Sequence, residues 1–146
     1  MRDDLRADVA SRWEVCVDLL FLGANGIGPE FDPAELTALI GLVPAKQWRV
    51  GDPNQLGAAR RTCGWGLTST VSPTAPLRAH IGSLLAALSG HEPEFSEAAN
   101  RYRVQLECVV AADSESVSPE LVVELDQLRA LTSLSIAAVG LDIHPK

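Results

Sequence analysis

Phe31-Asp32-Pro33-Ala34-Glu35-Leu36, Leu39-Ile40-Gly41-Leu42-Val43-Pro44, Trp48-Arg49-Val50-Gly51-Asp52-Pro53 and Gly64-Trp65-Gly66 follow one another as a run of start, stop and turn signals. Asp32 is suited to cap a helix, Pro33 fits its first position, and Glu35 completes a capping box. Leu36, Leu39 and Ile40 form the inward stripe. Gly41 supplies the left-handed residue after the helix, with Leu42 placed to pack back on Leu36. Lys46 to Val50 then reads as a short strand and Gly51-Asp52-Pro53-Asn54 as a turn. After a loop rich in Ala, Gly and Arg, Thr62 to Val71 resumes as a strand, so the two strands form a hairpin with a long tip.

Upstream, residues 1–12 are polar and form a tail, and residues 13–146 form a single α+β domain. Trp13 to Leu22 alternates Trp13, Val15, Val17 and Leu19 against Glu14, Cys16 and Asp18, then loses alternation at Leu19-Leu20-Phe21-Leu22, as in a strand buried on both faces. Gly23 to Glu30 is a loop. Downstream, Leu77, Ile81, Leu84, Leu85 and Leu88 keep helical spacing between Pro76 and Gly90. Glu92 to Asn100 is polar and reads as irregular. Tyr102 to Ala111 alternates as a half-buried strand. Ser118-Pro119-Glu120-Leu121 opens a further helix with Leu121, Val122, Leu125, Leu128 and Leu131 inward, and Leu134 to Ile143 closes the chain as a strand.

The resulting order is β-α-β-β-α-β-α-β, ferredoxin-like in its first six elements. It predicts a largely antiparallel or mixed sheet of about five strands with three helices on one face. Trp13-Glu14-Val15 with its following Asp-Pro helix parallels Tyr102-Arg103-Val104 with its Ser-Pro helix. Either a duplicated βα unit or shared capping rules would produce that parallel.

Across these 146 residues, 12 Lys and Arg face 19 Asp and Glu, a net charge of -7 that argues against a phosphate-binding surface, hence no nucleic acid. The acidity is concentrated: residues 92–146 carry ten acidic and four basic side chains. The longest apolar run, Val15 to Ala24, is interrupted by Asp18 and is far shorter than a membrane span of about 20 residues. No apolar leader follows Met1-Arg2-Asp3-Asp4, and Cys16, Cys63 and Cys108 are odd in number without a C-x-x-C pair. The expectation is a soluble, cytoplasmic, reduced protein that does not engage membranes.

The motifs of the Phe31 to Leu88 region resemble a bacterial family, domain-of-unknown-function family 4279. The elements that carry this resemblance are the acidic-Pro helix start, the Leu-Gly-x-x-Pro stop, the Trp-x-x-Gly turn, the strand Trp and the Leu77 to Leu88 helix. Tyr102 to Ile143 is similar more loosely, by element order. The resemblance implies a small bacterial α+β domain and supplies no activity, cofactor or catalytic residue. The Gln55 to Arg61 loop lies outside its pattern.

Sites of chemistry are sparse. Gly23-Ala24-Asn25-Gly26-Ile27-Gly28 follows a strand, but its glycine order differs from G-x-G-x-x-G, and the helix starts later under its own cap. His80, His91 and His144 are scattered, and His80 is offset from the apolar stripe, as a solvated or capping histidine would be. Cys63 lacks a local partner for nucleophilic catalysis, and Glu92 with Glu94, or Glu120 with Glu124, read as surface charge. No catalytic, metal or cofactor set is expected. Trp48, Arg49, Arg60, Arg61 and Trp65 gather around the hairpin and are residue types favoured at interaction hot spots, although large aromatics on strands are usually there for packing, as core or lid residues, with the arginines solubilising a loop. Glu120, Glu124 and Asp126 form a second, acidic candidate surface.

The functional expectation is a non-catalytic protein-interaction module, such as an immunity-type inhibitor of a bacterial toxin or enzyme, with an unidentified protein partner. A small-ligand or regulatory binding domain is the alternative, and an enzyme ranks third.

Overall fold

The computed structural model describes residues 13–112 and 121–145. Their elements run β1 (Trp13–Gly23), α1 (Pro33–Ile40), β2 (Lys46–Trp48), β3 (Cys63–Thr68), α2 (Leu77–Ala87), α3 (Glu92–Arg101), β4 (Val104–Ala112), α4 (Leu125–Ser133) and β5 (Ala138–Pro145). One five-stranded sheet has the order β2-β3-β1-β4-β5. β1 is antiparallel to both β3 and β4, and β2 to β3, whereas β5 runs parallel to β4. β1 and β2 are therefore parallel with β3 between them, a split βαβ unit.

Alternation decides the layering. Val15, Val17, Leu19 and Phe21 point to one side of β1 and join Trp65, Leu106, Cys108 and Val110 with Leu36, Ile40, Ile81, Leu84 and Phe95 in a single core. The described helices lie on that side. Phe21 sits between Trp65 (centroids 5.9 Å apart, planes at 74°) and Phe95 (5.2 Å), joining the sheet to α3. The opposite side carries Glu14, Cys16, Asp18 and Leu20 and has no helix over it among the described residues.

The first helix starts and stops at its sequence signals, with the Asp32 cap formed but without the Glu35 half of the expected capping box. Asp32 Oδ1 accepts from Ala34 N at 3.0 Å, and Gly41 adopts φ 80° while its N–H donates to Thr37 O at 2.9 Å. His91 Nδ1 lies 2.9 Å from Ile40 O, so the start of α3 supports the end of α1.

Three expectations are corrected. First, Glu92 to Asn100 is the helix α3, making four helices among the described residues instead of three and inserting an element into the ferredoxin-like order. Its polar composition hides a sound helix: Pro93 in the first turn, Glu92 and Glu94 at the positive end, Arg101 at the negative end, and Phe95 and Ala98 buried one turn apart. Second, α4 begins at Leu125, after an N-cap at Glu124, rather than near Pro119; Ser118, Pro119 and Glu120 lie outside the described residues. Third, its forecast stripe is inward only in part. Leu131 is buried and Leu121 packs against the core, as expected, but Val122, Leu125 and Leu128 are exposed, at 44%, 59% and 47%, because α4 leans on α2 instead of covering β5. Gln127 Nε2 donates to Arg78 O at 2.7 Å along that contact.

These placements make opposite forecasts for two leucines of similar sequence context. Leu84→Ala, deep in the core, should lower stability by roughly 2–5 kcal/mol. Leu125→Ala should change it by roughly 0.5 kcal/mol or less, as at other surface positions. Chemical denaturation of the two variants checks both.

Candidate functional site

The β2–β3 hairpin separates the two tryptophans expected to act together. In the register Gln47↔Trp65 and Trp48↔Gly64, neighbouring positions face opposite sides of the sheet. Trp65 is fully buried against Phe21, and its Nε1 donates to Thr37 Oγ1 at 3.0 Å. Trp65 is therefore a core residue, which corrects its assignment to an interaction surface.

Trp48 lies half-buried on the open side, its indole flat over Gly64, where any Cβ would collide with the ring. Its Nε1 donates to Thr62 Oγ1 at 3.3 Å, and the Arg60 guanidinium stacks 4.5 Å from the ring centroid. Arg61 beside it is exposed.

Beyond this stack, the hairpin tip is tightly bonded. Gly51 N donates to Arg60 O and Arg60 N to Asp52 O, both at 2.8 Å, while Pro53 and Ala59 form an isolated antiparallel bridge. Asn54 Oδ1 accepts from both Leu56 N (2.9 Å) and Ala58 N (3.0 Å), and Asn54 N donates to Ala58 O at 2.8 Å. Asp52 Oδ2 accepts from Arg49 N at 2.7 Å. This network holds Leu56 outward, 93% exposed, with Val50 at 44% on the same hairpin. Leu56 is the residue the sequence reading missed; its one signal was an apolar side chain isolated among turn formers.

Arg49 turns away from Trp48. Its guanidinium donates to Asp32 Oδ1 at 2.9 Å across an open groove of about 380 Å³, lined also by Glu30, Phe31, Glu35 and Val50. The Ala34 N–H holds the Asp32 carboxyl below its ordinary range, and Arg49 adds to that effect.

The acidic candidates serve the start of α4. Glu124 occupies the N-cap position, and its N–H donates to Gln127 Oε1 at 3.1 Å. Its carboxylate lies 3.9 Å from Arg78, and Asp126 occupies the first turn, where the helix dipole favours negative charge. Glu120 lies outside the described residues.

A second groove, of about 340 Å³, opens where β3 ends and β1 continues past it, between Glu14, Cys16, Thr68, Ser69, Val109 and His80. The structure places His80 in the buried stripe of α2, contrary to the solvated role expected of it. Its Nδ1 meets Ser69 Oγ, and its buried Nε2 has no hydrogen-bond partner among the described residues. Burial pushes its pKa down from 6.5, opposed by the carbonyls of Ala75 and Ser72, so the ring is held neutral. Nearby, Asp18 is buried beneath Lys46, with which it pairs, and accepts from Thr68 Oγ1 at 2.7 Å. Burial raises the Cys16 thiol pKa, helped by Asp18, and raises that of Cys108 to about 11, helped by Glu107, which makes neither a ready nucleophile. Among the described residues no three of His, Cys, Asp and Glu are grouped to hold a metal, and no helix is long and apolar enough to cross a membrane.

A mixed five-stranded sheet with its helices on one face and a projecting hairpin at one edge defines a small α+β domain. The family model described as "Domain of unknown function (DUF4279)" matches residues 17–145, and the chain belongs to that family. No curated protein and no solved structure is significantly similar to it.

His80 makes a pH prediction. With its folded-state pKa below 6.5, the unfolded chain binds the extra proton more readily. The stability held by the neutral ring is complete above 6.5 and is lost as pH falls through the lower folded-state value. Denaturation across mildly acidic pH should show this loss in wild type and a flatter profile in His80→Gln.

Proposed function

We propose that this chain is a non-catalytic protein-interaction module that docks through the tip of its β2–β3 hairpin. The observation that supports this reading is the tip's own bonding: a preorganised loop presents Leu56 to solvent with no neighbour among the described residues to cover it. Preorganisation lowers the ordering cost of association. The Trp48–Arg60 stack and Arg61 place hot-spot residue types beside that apolar anchor. The complementary surface would be an apolar cleft rimmed by carboxylates, since the exposed guanidinium groups steer an acidic partner. Stoichiometric capture of an enzyme or toxin, as by an immunity-type inhibitor, is one form this binding could take. The Glu124 and Asp126 surface serves as the competing site in the test.

A small-ligand role is the second reading, favoured by the unpartnered His80 Nε2 beside the groove at Cys16 and Ser69. A thermal-shift screen separates the two, because a ligand at a hundredfold its dissociation constant adds about 2.7 kcal/mol of stability.

For the docking reading, proteins captured from the native host by the wild-type chain are compared with those captured by Leu56→Asp, and the one that is lost is purified and titrated. Leu56→Asp and Trp48→Ala should each weaken binding by about 2 kcal/mol or more. Glu124→Lys should leave it unchanged, and affinity should largely persist as salt rises. Equal binding by Leu56→Asp and wild type overturns the proposal.

A further inference from the structure

His80 occupies a place on α2 that packing would give to an apolar side chain. It falls in the buried stripe with Leu77, Ile81 and Leu84, is 1% exposed, and leaves Nε2 without a hydrogen-bond partner among the described residues. A buried nitrogen left unpaired is destabilising, so a histidine here calls for a reason beyond packing. Its Nδ1 meets Ser69 Oγ, and half-buried Ser69 lines the groove of about 340 Å³. The ring thus fixes the Ser69 hydroxyl at the groove, whereas the neighbouring Thr68 Oγ1 is turned to Asp18.

Backbone bonds hold this groove in shape. Ser69 N donates to Val17 O at 3.0 Å, and Val15 N donates to Pro73 O at 2.7 Å, which ties the turn at residues 72–76 to the same strand. Val71, Pro73, Val109 and Ala111 supply apolar walls. A preformed, largely apolar concavity with a few fixed polar groups is the usual form of a small-ligand site.

Charge and hydrogen bonding narrow the ligand. Exposed Glu14 lines the groove, and among the described residues no lysine or arginine does. Lys46, whose charge reaches Cys16, is paired with Asp18. An anion would meet Glu14 with no cation to hold it, and an ammonium group would give up its hydration against apolar walls. A hydroxyl avoids both costs and suits either tautomer of His80. Where Nδ1 accepts the Ser69 proton, the ligand O–H donates to Ser69 Oγ; where Nδ1 carries the proton, the ligand oxygen accepts from the Ser69 O–H. At roughly 30 Å³ per water-sized atom, a groove of about 340 Å³ takes a ligand of about ten non-hydrogen atoms.

We propose that this groove binds a small uncharged alcohol or phenol through Ser69 Oγ, with His80 as the residue that positions Ser69, an assignment that rests on the small-ligand reading of the same groove. Ser69 follows β3 and the hairpin tip precedes it, so a ligand here leaves the tip free.

The measurement is a titration of the full chain at neutral pH, followed by proton–nitrogen correlation spectra. The probe is para-propylphenol; propylbenzene, para-propylbenzoate and para-propylbenzylamine are its hydrocarbon, anionic and cationic counterparts. The phenol should shift the amide signals of Ser69, Val71 and Ala111 saturably and bind about tenfold more tightly than each counterpart. The ring nitrogen signals of His80 should move with it, because a new bond to Ser69 alters how Oγ and Nδ1 share their proton. Ser69→Ala should abolish the preference for the phenol over propylbenzene, and Ser69→Thr, which keeps a hydroxyl, should restore it. A stationary His80 ring signal with phenol bound, or an unchanged preference in Ser69→Ala, overturns the role of the Ser69–His80 pair. Equal or tighter binding of any counterpart at the same amides overturns the hydroxyl assignment while the small-ligand reading stands. No saturable shift at the groove from any of the four compounds overturns both.

Discussion

Burial of both sides of the central strand governs the rest of the structure. From Asp18 to Phe21 every residue of β1 is shielded, although the described helices all lie on one side of the sheet. On the helical side Phe21 is held between Trp65 and Phe95, so the hairpin strand, the central strand and α3 share one aromatic contact. Losing that contact would detach three elements at once, because large aromatic side chains carry much of a core's buried area.

The unhelical side solves the same problem with small residues. β3 places Gly64 and Gly66 where a second layer would otherwise be needed. A Cβ at Gly66 would lie 2.9 Å from Leu20 Cδ1, and one at Gly64 would strike the Trp48 indole. Leu20 and Trp48 thus lie flat on bare backbone, and the sheet is covered by its own side chains. Asp18 takes part in this cover, with its charge met by Lys46 and its second oxygen by Thr68. A buried carboxylate without those partners would be strongly destabilising, so Lys46 on β2 and Thr68 on β3 hold the middle strand's polar residue in place.

Much of this was legible wherever a signal was local. The Asp32–Gly41 helix, the alternation of β1 and β4 and the hairpin follow from caps, glycine placement and period-two patterning. The misreadings share one cause, which is that tertiary position decided them. Phe95 and Ala98 make an inward stripe too sparse to stand out from a polar segment, and α3 is helical because Phe95 fills the core beside Phe21. Leu125 and Leu128 have helical spacing but face outward, because α4 is set against α2. Trp48 and Trp65 belong to one hairpin yet lie on opposite sides of the sheet, a difference fixed by one residue of register. Leu56 and His80 depend on context in the same way. One is conspicuous for the neighbours it lacks, the other for burial that its helix position alone did not disclose.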